Sequence, residues 1–259
     1  MDGRRSVNSL FVRGIALREP VPETSYLAGL PAVRHLSRSP VEFSAPVTFF
    51  AGENGAGKST LIEALAVALG FNPEGGSPNF RFSTEDSHSE LCEYLRVSRG
   101  TARPRTGFFL RAESFYNVAS NIDQMDREGG FGAPVIDSYG GVSLHRQSHG
   151  ESFLALAEHR FGPRGLYILD EPEAALSPMG LMRLICRIDA LVRQGSQFII
   201  ATHAPMLMAF PASQLLLIDD AGIRPADYRE TEHYVLMRRF LNDPEGMLRL
   251  LLEESGEND

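Results

Sequence analysis

A chain of 259 residues with 43% hydrophobic and 22% charged side chains is long enough to bury a sizeable core in one large or two modest domains. Its longest apolar runs, such as Leu65 to Leu69 and Phe198 to Ala201, fall far short of the roughly 18 residues that a membrane-crossing helix needs. A formal charge of −8 argues against a whole-surface nucleic-acid binder and leaves only local basic ground, densest at Arg96, Arg99, Arg103 and Arg105.

The N-terminus reads as ordinary protein, because Arg13 cuts the apolar stretch that follows Arg4-Arg5 too early for an export signal. Residues 1 to 51 read as antiparallel strands with a proline-rich loop from Pro20 to Pro31. They end in the apolar strand Val47-Thr48-Phe49-Phe50-Ala51. There follows Gly52-Glu53-Asn54-Gly55-Ala56-Gly57-Lys58-Ser59-Thr60, which fits G-x-x-x-x-G-K-[ST], and then Leu61, Ile62, Leu65, Ala68 and Leu69 at helical spacing up to Gly70.

Strand, glycine loop and helix in that order make a phosphate cradle. Glycines let backbone N–H groups turn inward, and the helix N-terminus adds roughly half a positive charge. Lys58 reaches the β and γ phosphates of a nucleotide, and Ser59 offers a hydroxyl to Mg2+. Lys58 is the single lysine beside 24 arginines, which marks a position where a compact ammonium suits and a planar guanidinium does not.

Residues 71 to about 105 begin as a Gly/Pro loop and continue as an amphipathic helix near Ser87 to Val97, with Ser87 and Glu90 as a capping box. After a glycine-rich stretch, Gln147-Ser148-His149-Gly150-Glu151 leads into the apolar residues Phe153, Leu154, Leu156 and Ala157, a loop feeding a helix in which Ser148 and Glu151 fit the capping-box pattern. Leu166-Tyr167-Ile168-Leu169 is a buried parallel strand that ends in Asp170-Glu171-Pro172. Neighbouring strand side chains point to opposite sides, so the two acids divide the work. Asp170 holds Mg2+ through its water shell, and Glu171 polarises the attacking water.

Pro178 opens a helix to about Arg193, which crosses back to the strand Gln197-Phe198-Ile199-Ile200-Ala201-Thr202. His203 stands at that strand's carboxyl end, where ligands of such sheets bind, within reach of a γ-phosphate or the attacking water. Leu215 to Ile218 is a further strand, and residues 229 to 254 are two helices split at Asn242-Asp243-Pro244, before an acidic tail. Cys92 and Cys186, in no CxxC pair, read as buried free thiols of a cytoplasmic protein.

The four motifs stand in the order and approximate spacing of ATP-binding-cassette ATPases, and the chain resembles that superfamily over nearly its whole length. GENGAGKST is similar to its Walker A loop, QSHGE to its signature, LYILDEP to its Walker B strand and ATHAP to its switch-histidine loop. The continuation DEPEAALSP resembles a subgroup of short stand-alone ATPases akin to the heads of SMC-type and RecF-type DNA-repair proteins.

The resemblance implies an α/β P-loop NTPase fold with a parallel core sheet and N-terminal antiparallel strands. Residues 1–259 form a single domain, and a helical lobe at approximately 71–160 carries the signature. It implies ATP and Mg2+ as ligands and a homodimer in which Ser148, His149 and Gly150 of one subunit cap the nucleotide of the other. His203 would sense the γ-phosphate, and Ala174 to Ser177 would take the place of the loop that couples the two sites.

Where the superfamily has a strand-end glutamine, Thr106 to Ser114 has none. Glu113 is the nearest candidate as an outer ligand of Mg2+ or water, and an Arg111–Glu113 structural pair is the alternative. Tyr26 is the candidate for adenine stacking, against Phe11 or a core role. His149 and Glu151 depart from the usual glycine and glutamine of the signature.

Three functions follow: an ATPase whose ATP-driven dimerisation acts on a protein or nucleic-acid partner, the nucleotide-binding subunit of a membrane transporter, and a nucleotide-gated module with negligible turnover. The 90 residues from Lys58 to Ser148 leave no room for long coiled-coil arms.

Overall fold

The structure, a computed structural model, describes residues 10–77, 89–112 and 148–256. The chain enters with strand β1 (Val12–Leu17), a 3-10 turn at Tyr26–Gly29, helix α1 (Pro31–Leu36) and the short strand β2 (Val41–Glu42). Strand β3 (Val47–Gly52) then leads through the glycine loop into α2 (Lys58–Leu69). As expected, Gly70 ends that helix in the left-handed conformation, its N–H bonded to the carbonyls of Ala66 and Val67. Next come α3 (Leu91–Tyr94), β4 (Leu95–Arg99), β5 (Thr106–Arg111), α4 (His149–Arg160), β6 (Gly165–Asp170), α5 (Pro178–Arg193), β7 (Gln197–Ala201), α6 (Pro205–Met208), β8 (Gln214–Asp219), β9 (Gly222–Pro225), α7 (Glu232–Asn242) and α8 (Pro244–Gly256).

A six-stranded sheet in the order β5-β6-β7-β3-β8-β9 forms the centre, parallel except for β9, which pairs antiparallel at one edge. Every residue of β3, β6 and β7 is buried, the pattern of strands covered on both faces. Successive side chains alternate between two cores. Phe49, Phe108, Tyr167, Leu169, Phe198 and Ile200 pack under α4 and α5. Phe50, Phe109, Ile168, Ile199, Leu216 and Ile218 face α2, α1 and the smaller sheet.

That smaller sheet, β2-β1-β4, is antiparallel. Gln197 welds it to the central one: its buried amide accepts from the N–H groups of Phe11 and Val12 at 2.9 and 3.0 Å, and its Nε2 donates to Val12 O at 2.8 Å. Three backbone groups of an entering strand thereby find their partner in one side chain.

Several expectations change. The helix expected over Ser87 to Val97 is only α3, and Leu95–Arg99 is a strand paired with β1. Leu91 and Leu95 share a helical spacing, but pairing along β1 satisfies the backbone and also buries Leu95. The candidate cap Ser87 lies outside the described residues. Residues 95–99 therefore belong to the antiparallel sheet and not to a helical lobe. The proline-rich loop from Pro20 to Pro31 contains the 3-10 turn at Tyr26–Gly29, and the short helix α1, held by buried Ala32, Val33 and Leu36, follows it where only strands were expected. Cys186 is exposed on α5 and Cys92 is half-buried, so neither thiol is a core residue. The split at Asn242 to Pro244 is observed, and Leu236, Met237, Leu241, Leu251 and Leu252 on the resulting helix pair are exposed. No helix among the described residues is long and apolar enough to cross a membrane.

Candidate functional site

The carboxyl ends of β3, β6 and β7 lie side by side in the sheet, and each releases the chain into a loop that bears one of the expected groups. Gly52 leaves β3 at φ +146°, with its Cα so close to β8 that a Cβ would meet Ile218 O at 2.2 Å. Gly57 takes φ +92° at the cap of α2, where a side chain would strain the turn. Lys58 is buried, and its ammonium donates to the carbonyls of Gly52 and Glu53 at 2.9 and 2.8 Å, which braces the loop across its mouth. Burial pushes the Lys58 ammonium below its ordinary value, against the opposing pull of Glu171, Asp170 and Glu173. Glu53, Asn54 and Gly55 form the exposed rim of the loop, while Ala56 is buried beneath it.

One residue further on, the Ser59 hydroxyl lies 3.1 Å from Asp170 Oδ1, so the expected pair does meet although 111 residues separate them. A hydroxyl and a carboxylate side by side are hard oxygen donors. They fit Mg2+, which takes one or two protein oxygens and completes its shell with phosphate and water. Glu113, the third expected ligand, lies outside the described residues. The alternative Arg111–Glu113 pair therefore lies outside them as well; among the described residues, Arg111 Nη1 contacts Glu63 Oε2 at 2.5 Å, and its Nε stands 3.5 Å from Asp170 Oδ2. Glu63, on the buried side of α2, also accepts from Ser89 N at 2.8 Å. Arg111 thus ends β5 as a cation beside Asp170 and Glu63.

Asp170 and Glu171 point to different partners, as a strand end dictates. Glu171 adopts φ 48°, one of three described non-glycine residues with positive φ. A left-handed conformation at the carboxyl end of a strand is costly for a side-chain-bearing residue, and such strain concentrates at functional sites. Its Oε1 lies 3.4 Å from His203 Nε2. That Nε2 is buried and makes no hydrogen bond among the described residues. Burial, then the Lys58 ammonium and His233, lower the His203 imidazole to about 4, so the ring is neutral near pH 7.

Three further residues hold this corner. Glu173 Oε1 accepts from Thr202 Oγ1 at 2.8 Å and from His203 N at 2.5 Å, clamping the loop after β7. Burial raises the Glu173 carboxyl against those hydrogen bonds. Thr202 Oγ1 accepts in turn from Ala204 N at 3.0 Å. His203 Nδ1 lies 2.9 Å from Nε2 of His233, at the start of α7. Glu173 is visible in the sequence as the acid after Asp170-Glu171-Pro172. Nothing in the sequence singles out His233, which arrives 30 residues after its partner by way of β8 and β9.

Ser148 caps α4 with the expected reciprocal box, accepting from Glu151 N while the Glu151 side chain accepts from Ser148 N. The Ser148 hydroxyl, donating to Glu151 Oε2 at 2.7 Å, and then the Ser148 N–H hold the Glu151 carboxyl below the usual range. Gly150 packs so tightly on the loop after β6 that a Cβ would sit 3.0 Å from Ala175 O. His149 lines a cavity of about 270 Å3 together with Ser59, Arg111, Asp170 and Glu171 of its own chain. A wider cavity of about 670 Å3 is lined by Tyr26, Ser59, Thr60, Glu63, Tyr94 and Arg111, with the Tyr26 ring exposed. Phe11, the alternative aromatic, is buried and lines a third cavity at the opposite edge of the sheet, beside Arg99, Arg103, Arg105 and Arg160. Ser177 caps α5 by accepting from Gly180 N.

A family model described as an AAA domain matches residues 32–111. The chain is 29% identical over 164 residues to a cytochrome c biogenesis ATP-binding export protein of Bordetella bronchiseptica, covering 59% of this chain and 69% of that protein. It is 30% identical over 188 residues to a putative ABC transporter ATP-binding protein of Streptomyces avermitilis, covering 71% of this chain and 32% of that one. Among solved structures, cbiO1 of Clostridium perfringens, part of an ABC transporter complex, aligns over 94% of this chain and 99% of its own with a TM-score of 0.48 and 15% identity.

Proposed function

We propose that this chain, a P-loop ATPase of the ATP-binding-cassette type, binds ATP with Mg2+ at the carboxyl edge of its central sheet and couples hydrolysis to work on a separate partner. The observation that carries the reading is the meeting at that edge of three distant segments: braced Lys58 with Ser59, Asp170 with strained Glu171, and neutral His203.

The glycine loop and the start of α2 hold the phosphates by backbone N–H groups, and Lys58 swings its ammonium from the loop carbonyls to the β and γ oxygens. Ser59 and Asp170 would hold Mg2+, which would supply neutralisation of the phosphate charge. Glu171 accepts a proton from the attacking water, and His203 orients that water or the γ-phosphate through Nε2. Tyr26, at the open wall of the wider cavity, stacks on the base. A second copy closes over the site, but the capped N-terminus of α4 stands on the cavity of its own chain, where His149 joins Ser59, Asp170 and Glu171, rather than reaching only a partner's nucleotide.

The names of the relatives support a partner embedded in a membrane, with this chain as the nucleotide-binding subunit of a transporter. One observation favours the other reading, a free-standing ATPase acting on a protein or nucleic acid: β5 ends in Arg111, tied to Glu63 and Asp170, where a transporter motor has the glutamine that responds to its membrane subunit. Light scattering of Glu171→Gln with MgATP tests the shared core of both. An ATP-dependent dimer is expected, and a monomer at saturating nucleotide overturns closure by a second copy. Purification from detergent-solubilised membranes of the source cell separates the two readings. A stoichiometric membrane subunit supports the transporter, whereas its absence with full ATPase turnover of the lone chain supports the free-standing enzyme. Negligible turnover despite tight ATP binding leaves the nucleotide-gated module.

A further inference from the structure

The contact between His203 and His233 bears on which nitrogen of the catalytic histidine carries its proton. Only one hydrogen lies between His203 Nδ1 and His233 Nε2 at 2.9 Å, so one ring donates and the other accepts. A neutral imidazole has a single N–H. If His203 donated from Nδ1, its buried Nε2 would present a bare lone pair to Glu171 Oε1 at 3.4 Å, and two facing lone pairs repel. If His233 donates, the His203 proton sits on Nε2, directed at Glu171 and at the place of the attacking water.

We propose that His233 is a positioning residue that, by donating its Nε2–H to His203 Nδ1, holds the His203 proton on Nε2, facing Glu171 and the γ-phosphate. The inference rests on the ATPase reading above and deepens it, since it assigns to a C-terminal helix the task of setting the tautomer of the switch histidine.

The scaffold around His233 is built for a fixed ring. It is the second residue of α7, whose cap Thr231 is buried. Thr231 donates its hydroxyl to Tyr228 O at 2.6 Å and accepts from Tyr234 N at 3.4 Å. Tyr228 packs on the core beneath α5 and meets Tyr234 edge-on at 5.2 Å between ring centroids. On the opposite side, Glu173 fixes His203 by its backbone N–H, so neither ring is carried on a loose loop. The other charged groups acting on His203 are Glu171 and Lys58, and neither contacts its Nδ1 side. Of the described residues, His233 is the one bonded to that nitrogen.

The experiment is two-bond 1H–15N correlation NMR of the full chain, with and without MgATP, on wild type, His233→Ala and His233→Gln, together with steady-state ATPase kinetics. Wild type is expected to show His203 protonated at Nε2 and unprotonated at Nδ1. His233→Ala is expected to give mixed tautomers and a kcat lower by roughly tenfold, with KM for ATP within about twofold. His233→Gln, whose amide can donate to Nδ1, restores the Nε2–H form and most of kcat. Protonation of wild-type His203 at Nδ1 overturns the proposal, as does an unchanged tautomer with unchanged kcat in His233→Ala. The spectra need no turnover, so an inactive wild type would count against the ATPase reading while the tautomer still decides this one.

Discussion

The phosphate loop and the histidine corner serve one site but are made in opposite ways. The loop is local: nine consecutive residues from the end of β3 to the first turn of α2 contain the glycines, the ammonium and the hydroxyl, and Lys58 finds its partners within six residues, at Gly52 O and Glu53 O. The histidine corner is assembled from the ends of β6 and β7 and the start of α7, through Glu171, Glu173, Thr202, His203 and His233. A local device tolerates change elsewhere in the fold and fails when its own residues change. An assembled one depends on every strand that brings its parts together.

The largest expected effect falls on the local device. Lys58→Ala removes the buried ammonium that the proposed mechanism sends to the phosphates, so ATP affinity measured by calorimetry is expected to fall on the order of 10³-fold. Unaltered affinity would show that the loop does not grip phosphate through its lysine. Next is Glu171→Gln, expected to leave ATP affinity intact and lower kcat by roughly 10² or more. Normal turnover in that variant would move the general base elsewhere.

The sheet junction behind the histidine corner comes third. Gln197→Ala strands two N–H groups and one carbonyl of the first strand, so it is expected to destabilise the chain by about 3 kcal/mol in urea unfolding, without altering ATP affinity per folded molecule. A loss confined to affinity would mean that the small sheet is not tied to the core through this amide.

The smallest effect is a pH slope. His203 sits near 4 in the fold against 6.5 for an ordinary histidine, so between those values the unfolded chain holds a proton that the folded chain does not. Its contribution to stability is complete above about 6.5 and is lost as the pH falls toward 4. The stability advantage of wild type over His203→Asn is therefore expected to shrink across that window. A gap that is flat with pH would indicate a ring that is solvated in the folded state.

What was legible follows the same division. Gly70 as a helix stop, the Ser148–Glu151 box and the break at Asn242 to Pro244 are all as the sequence predicts, because each depends on residues within one turn of one another. Leu95–Arg99 was not legible as a strand, since its apolar spacing suits a helix and only β1, some 80 residues earlier, supplies its hydrogen bonds. Nor was the exposure of Cys186, because the outward side of α5 is fixed by what packs beneath it. At the candidate site, Asp170 and Glu171 were readable as a divided pair, whereas the strained backbone of Glu171 and the attachment of Arg111 to Glu63 were not.

By itself the sequence determined the glycine loop between strand and helix, the buried strands that frame it and the two acids at the end of β6, since spacing along a chain sets which neighbours share a face or a turn. Only the tertiary structure decided that Ser59 meets Asp170, that Gln197 locks the two sheets and that His233 reaches His203. These contacts join residues 30 to 186 positions apart. Their partners are chosen by the order of strands in the sheet, which no local pattern encodes.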